Sequence, residues 1–230
     1  MKTSLPQPPA VPARQRRKQA RPMELLDAAL DLFVERGFAA TRSEDVAVRA
    51  GVSKGTLYLY YPSKEELLKA VIRHYVVNQI AEGSEIVREF KGNSSELLAM
   101  VLLLWWERIG ETRASGIIKL MTSEVRNFPE VAQFYVDEVV TPSNQMLAQV
   151  IQRGVDRGEF RAVNVPEVVH ALVGPLIFLV LNKHSLGACS ISFLLQPRLV
   201  ITALIDMVLN GLVPRGAIQP AMAANRNKKE

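Results

Sequence analysis

The sequence predicts an all-α protein, and three observations carry the prediction. Between residues 22 and 212 almost every segment places its apolar side chains at helical spacing. No strand-like alternation of apolar and polar residues persists beyond a few positions. Helix start and stop signals recur between the apolar stretches, as caps, first-turn prolines and terminal glycines.

The pattern divides into nine helices. The first is predicted from Pro22, a residue suited to a first turn, to Arg36, with Leu26, Ala29, Leu30 and Phe33 as its apolar stripe and Gly37 as its stop. The second covers residues 43–50, turning Val46, Ala47 and Ala50 inward, with a possible capping box in Thr41-Arg42-Ser43-Glu44 and Gly51 at its end. The third is a short helix over residues 54–60, capped by Ser53 and followed by Pro62. Ser63-Lys64-Glu65-Glu66 opens the fourth, with Leu67, Leu68, Val71, Ile72 and Tyr75 on one face. The fifth follows Asn93 and carries Trp105 and Trp106, and the sixth covers residues 115–126. The seventh runs from Pro129 to about residue 157, bent at Pro142, where a backbone donor is missing. The eighth and ninth cover residues 165–183 and 196–212.

Composition narrows the class of protein. The chain has 230 residues, 48% hydrophobic, with one cysteine, which excludes a collagen or a disulfide scaffold. Cys189 cannot pair within the chain, so a reducing, cytoplasmic home is expected and Cys189 reads as a small buried hydrophobe. The longest apolar runs, residues 97–106 and 171–181, fall short of the ~20 residues a spanning helix needs. His74, His170 and His184 lack metal-ligand spacing, and neither a phosphate-binding glycine loop nor a nucleophile elbow occurs. The reading is therefore of a non-enzyme without metal or cofactor.

Charge is concentrated. The chain carries a net +5, yet residues 1–22 hold Lys2, Arg14, Arg16, Arg17, Lys18 and Arg21 and no acid. The rest is close to neutral, and residues 23–70 hold six bases against eight acids. Residues 1–21 thus read as a disordered basic arm suited to a polyanion, where each neutralised phosphate releases counterions, or to solubility alone. Residues 214–230 read as a second disordered tail.

Residues 41–64 carry the chemistry. Two short helices around the turn Ala50-Gly51-Val52-Ser53 form a helix-turn-helix pattern, with Gly51 supplying the positive φ of a sharp turn. Val52 and Leu57 would anchor the second helix, leaving Lys54, Thr56, Tyr58 and Tyr60 to donate to phosphates or base edges. Gly55 would let backbone approach a phosphate, and Lys64, a cation set against its helix dipole, hints at an external anion. Pattern alone leaves open an ordinary helical hairpin whose polar residues are idle.

Residues 24–71, ELLDAALDLFVERGFAATRSEDVAVRAGVSKGTLYLYYPSKEELLKAV, resemble the DNA-binding domain of the tetracycline-repressor (TetR) family of bacterial transcriptional regulators, most specifically through Ala-Gly-Val-Ser-Lys-Gly-Thr-Leu-Tyr and Tyr-Pro-Ser-Lys. The resemblance implies a DNA-binding domain over residues 22–70 and a ligand-binding and dimerisation domain over residues 71–213. It places Ser43 on phosphate, Lys54, Gly55 and Thr56 in the major groove, and Tyr58, Tyr60 and Lys64 on the DNA backbone. Glu44 stands where several members carry a basic or neutral residue near the bases, and solvation is expected for it. The arm residues Arg14, Arg16, Arg17 and Lys18 would add phosphate or minor-groove contacts.

The C-terminal helices speak to a partner. The ninth has one narrow polar stripe, Arg198, Thr202, Asp206 and Asn210, and is otherwise apolar, while the eighth is apolar nearly all round. One core covers only one face of a helix, so a homodimer is expected through Val169, Leu172, Val173, Leu176, Val200, Ala203, Leu204 and Met207, the alternative being that both are central helices of one core. Large adaptable side chains populate the middle helices, among them Trp105, Trp106, Met121, Phe134 and Tyr135. By pattern they are ordinary core. The family resemblance implies a cavity there for a small, largely apolar effector, oriented by Glu124, Asn144 or His170.

Overall fold

A computed structural model of the chain describes residues 13–185 and 195–210, with side chains from Arg21 onward except at Val125. Cys189 and the tail at 214–230 lie outside the described residues. Among these, the chain forms nine continuous helical rods and no strand.

The first rod, α1 (Ala13–Arg36), starts nine residues earlier than the sequence predicts and carries Pro22 in its interior. Residues 13–21 are thus helical, a correction to the expected irregular arm. They are all Ala, Arg, Gln or Lys, strong helix formers that extend the rod backward past Pro22, which withholds one ladder bond. Helix α2 (Ser43–Arg49) and helix α3 (Lys54–Tyr60) follow.

Helix α4 (Lys64–Ile72) continues through a π-helical segment, Arg73–Val77, into α5 (Asn78–Glu89). Helix α6 (Ser94–Trp105) is capped by Asn93, whose side chain accepts from the Glu96 N–H at 2.8 Å, and it too runs into a π segment, Trp106–Gly110. After α7 (Ser115–Glu124) come α8 (Pro129–Tyr135), a third π segment at Val136–Val140, and α9 (Thr141–Asp156). At Pro142, where a bend is expected, the hydrogen-bond register changes. The Thr141 N–H reaches back five residues to the Val136 carbonyl, so the ladder widens just where proline withholds a donor. Helices α10 (Val165–His184) and α11 (Pro197–Asn210) complete the described chain.

These elements pack as two compact units. The first takes the chain through Glu85 together with Glu107–Gln145, and the second takes Ile86–Trp106 together with the chain from Met146 onward. In the first, α1 packs on α2, α4 and α7, with α4 also against α8. The predicted stripe of α1 (Leu26, Ala29, Leu30, Phe33) is buried, as are Leu67, Leu68, Val71 and Ile72 of α4 and Leu57 of α3. Close approach of α1 to α7 requires Gly116, where an added Cβ would overlap the Val34 side chain.

In the second unit, α11 packs on α6 and α10. Val169, Leu172 and Leu176 are buried inside this unit, which corrects their expected place on a partner-facing surface. On a helix apolar nearly all round, periodicity does not say which stripe turns inward. The face left open carries Phe178 (50% exposed), Leu199 (62%), Ala203 and Met207 (44%), with Val173, Val200 and Leu204 half-buried beside it. Helix α10 is also long and apolar enough, by length and composition, to cross a membrane, which the count over residues 171–181 did not anticipate. Only 28% of that apolar stretch is buried in the single chain.

Candidate nucleic-acid interface

The α2–α3 pair is built around one turn. Gly51 adopts φ +64°, as expected, and the Gly51 and Val52 N–H groups return to Val48 O (3.0 Å) and Ala47 O (2.9 Å), closing α2. Ser53 then caps α3: its hydroxyl accepts from the Thr56 N–H at 3.1 Å and shares a 2.9 Å hydrogen bond with the Thr56 hydroxyl. Fully buried Leu57 fixes the short helix to the unit beneath it.

Lys54, Gly55, Tyr58 and Leu59 are consequently exposed, and Thr56 and Tyr60 are half-exposed. The face is unobstructed at Gly55, where the nearest neighbour of an added Cβ would be Ser53 Oγ at 3.9 Å. Every predicted reading residue of α3 therefore lies on or beside one accessible surface. Glu44 is not merely solvated: its carboxylate pairs with the Lys54 ammonium across the α2–α3 junction. The hydrogen bond from Lys54 holds the Glu44 carboxyl below its usual range, and the same bond raises Lys54.

Of two expected phosphate ligands, one is buried and the other has an internal duty. Ser43 is the first residue of α2 and only 6% exposed, so its hydroxyl is not displayed. Lys64 Nζ donates to the carbonyls of Phe38 (2.8 Å), Thr41 (3.0 Å) and Ala39 (3.4 Å) while lying over the Phe38 ring at 4.4 Å. The cation set against its helix dipole thus serves the turn between α1 and α2, whose carbonyls supply its negative partner. The capping box proposed for α2 is also absent. Arg42 occupies the cap with no side-chain bond, and the Thr41 hydroxyl donates instead to Leu32 O and Gly37 O at 3.2 and 2.7 Å.

The same turn is held from its other side by a residue expected in a ligand cavity. Glu124, at the end of α7, accepts from the Phe38 N–H at 3.1 Å and the Ala39 N–H at 3.0 Å. Phe128 meets the Phe38 ring edge-on at 4.7 Å. Both carboxylate oxygens of Glu124 are thus engaged within the protein. Phe134 is likewise committed, lying under the Arg73 guanidinium at 4.7 Å in the contact between α4 and α8.

Other effector candidates divide between the units. Met121 is buried and Tyr135 and Asn144 are half-buried in the first, where burial raises the Tyr135 phenol above its ordinary value. In the second, Trp106 is 2% exposed, Trp105 is half-buried, and His170 is exposed rather than turned inward. Arg14, Arg16, Arg17 and Lys18 belong to α1 by backbone, and their side chains lie outside the described set. Arg21, the first described base, donates to the Gly51 carbonyl at 3.4 Å and pairs with Glu24.

Sequence reading missed three long-range ties. Beyond the Glu124 clamp, Arg73 Nε and Nη2 donate to both Glu138 oxygens at 2.9 and 2.6 Å, joining two π segments. Arg113 pairs with Asp27 and with Asp31 (2.7 Å), and the Tyr75 hydroxyl also donates to Asp27. Burial first, and the Asp27 hydrogen bond second, raise the Tyr75 phenol. Partners separated by 48 to 86 residues leave no periodic mark that could have announced them.

With this geometry in place, comparison with known proteins is informative. Residues 25–71 match the family model for bacterial regulatory proteins of the tetR family, and residues 95–186 match a tetracyclin repressor-like C-terminal domain. The HTH-type transcriptional repressor KstR2 of Rhodococcus jostii is 31% identical over 146 residues, 63% of this chain and 70% of that protein. The fatty acid metabolism regulator protein of Bacillus subtilis is 27% identical over 146 residues, 63% and 74% of the two chains. A crystal structure of FadR from Bacillus subtilis in complex with stearoyl-CoA shares the fold, at 20% identity and TM-score 0.67, covering 83% of this chain and 99% of that one. An exposed, serine-capped second helix on a glycine turn, within a chain matched along both of its family domains, leads to one conclusion: the protein belongs to the TetR family of DNA-binding bacterial transcriptional regulators.

Proposed function

We propose that the protein is a homodimeric, cytoplasmic repressor that a lipid-derived effector releases from a near-palindromic operator. The observation that carries the DNA half is the accessible face of α3, on which Lys54, Gly55, Thr56, Tyr58 and Tyr60 stand together. In the bound state Lys54, Gly55 and Thr56 enter the major groove, and Tyr58 and Tyr60 hold phosphates. The backbone-defined start of α1 carries Arg14, Arg16, Arg17 and Lys18 toward flanking phosphates, offsetting the net negative charge of residues 23–70.

A two-fold dimer supplies the second reader, about one DNA turn away. The open faces of α10 and α11 support it, with Phe178, Leu199, Ala203 and Met207 as the seam. The effector class follows from the relatives: one similar structure is described with stearoyl-CoA, and others are named regulators of fatty acid metabolism and KstR2. A large apolar group such as an acyl chain or a steroid skeleton is the feature shared by the effectors that these names suggest. Such a ligand acts through its different affinities for the DNA-binding and released states.

The test is an electrophoretic mobility assay with the full chain and its own upstream DNA. Retardation of that DNA, reversed by micromolar stearoyl-CoA or a sterol-derived acyl-CoA but not by free coenzyme A, is the expected result. Release with no change in dimer mass supports allostery, and retardation indifferent to every lipid-derived thioester removes the effector assignment. Deleting residues 1–21 is expected to flatten the slope of log K against log salt by about 0.9 per lost phosphate contact, and an unchanged slope removes the arm from the interface.

A further inference from the structure

Leu59 is 85% exposed, the most exposed large apolar side chain among the described residues. It stands on α3 itself, four residues after Gly55 and three after Thr56, and therefore shares their outward face. The opposite side of the helix already has its anchor in fully buried Leu57, so Leu59 contributes nothing to holding α3 in place. Every other outward side chain of this helix offers a polar group: the Lys54 ammonium, the Thr56 hydroxyl and the Tyr58 phenol. Leu59 offers only hydrocarbon, on the surface that meets DNA.

We propose that Leu59 is a specificity-determining residue that reads the C5-methyl group of thymine in the major groove. Among base edges in that groove the thymine methyl is the one apolar feature, beside acceptors and amino donors. A leucine placed against guanine, cytosine amino or phosphate groups would desolvate them without returning a hydrogen bond, which is unfavourable. Against a methyl group it loses nothing and removes apolar surface from water on both sides. The inference rests on α3 being the reading helix, as proposed above. It adds an apolar contact that the hydrogen-bonding groups of Lys54, Thr56 and Tyr58 do not make, since a thymine methyl neither donates nor accepts.

The experiment uses the full-length chain. Duplexes bound by the wild type are selected from a random pool, and a conserved T·A pair is expected at one position of each half-site. Replacing that thymine by deoxyuridine removes one methyl and nothing else from the base edge. Affinity of the wild type is expected to fall about fourfold per half-site, the equivalent of ~0.8 kcal/mol for one buried carbon. Leu59→Ala, at an exposed position that leaves the core untouched, is expected to bind more weakly and to be indifferent to the same replacement, and the resulting cycle isolates the methyl contact. Equal response of wild type and Leu59→Ala to deoxyuridine overturns the proposal. So does a Leu59→Ala loss that is uniform across all sequences, since that marks a sugar or phosphate contact. Failure of the wild type to select any sequence sinks the DNA reading itself, and is told apart by the absence of a consensus in the first step.

Discussion

Individual charged residues of the first unit are occupied in ways that fix the reader before any DNA arrives. Lys64 places one ammonium on three backbone carbonyls of the 37–41 turn. Hydrogen bonds to a charged group are each worth ~1.5–3 kcal/mol, and leaving partly buried carbonyls unmatched adds to the loss. Lys64→Met, which keeps the stem and removes the charge, is expected to lower stability by about 2–3 kcal/mol in chemical denaturation. A variant as stable as wild type would return Lys64 to the role of a free phosphate ligand. Glu138 supplies a pH dependence. The two hydrogen bonds from Arg73 hold its carboxyl below the usual range, so its folded value lies under its unfolded one. Its contribution is therefore complete above the ordinary carboxylate pKa of ~4.3 and is lost as pH falls through the lower, folded value. Glu138→Gln is expected to weaken the protein at pH 7 and to flatten its acid-side loss of stability, measured by denaturation at a series of pH values.

At the scale of elements, a seven-residue helix such as α3 has little stability of its own and depends on what it is fastened to. The chain of fastening is explicit: Leu57 into the core, the 37–41 turn behind α2, and then Glu124 and Phe128 against that turn. The end of α7 and Phe128 at the start of α8 thus hold this turn through two N–H groups and one ring. Glu124→Ala is expected to cost about 1–3 kcal/mol and to weaken operator binding even though no DNA contact is removed. Denaturation together with a mobility assay checks it, and unchanged operator affinity would show that the turn is positioned without α7. The π segments at Arg73–Val77 and Val136–Val140 pack together in the same unit, bridged by Arg73 and Glu138. One widening has a sequence cause in Pro142, whereas nothing in residues 64–78 announces the other.

For the whole molecule, the open apolar face of α10 and α11 bears on assembly. The single chain leaves Phe178, Leu199 and Met207 in water, large apolar side chains of the kind that a partner ordinarily covers. Phe178→Asp puts a charge into the proposed seam, at a position half-exposed in the single chain. It is expected to give monomeric mass by light scattering at micromolar concentration and to lower operator affinity by at least tenfold, because two readers then bind independently. Dimeric mass in this variant would move the seam elsewhere.

The local texture of this protein is written in its sequence. Nine rods, the glycine turn at Gly51, the caps at Ser53, Ser63 and Asn93, and the inward stripes of α1 and α4 all follow from interactions within a few residues. The exposure of α3 is legible for the same reason, since one short amphipathic helix on a tight turn has only one way to bury Leu57, whereas its expected reading role came from the family resemblance of residues 24–71. Partner choice was decided by tertiary structure alone. Lys64 and Glu124 look like ligands for something external because a lone charge in a sequence shows no partner, and their acceptors and donors are backbone groups 23 to 86 residues away. The inward stripe of α10 was equally hidden. Where nearly every side chain is apolar, only the neighbouring helices determine which of them face the core.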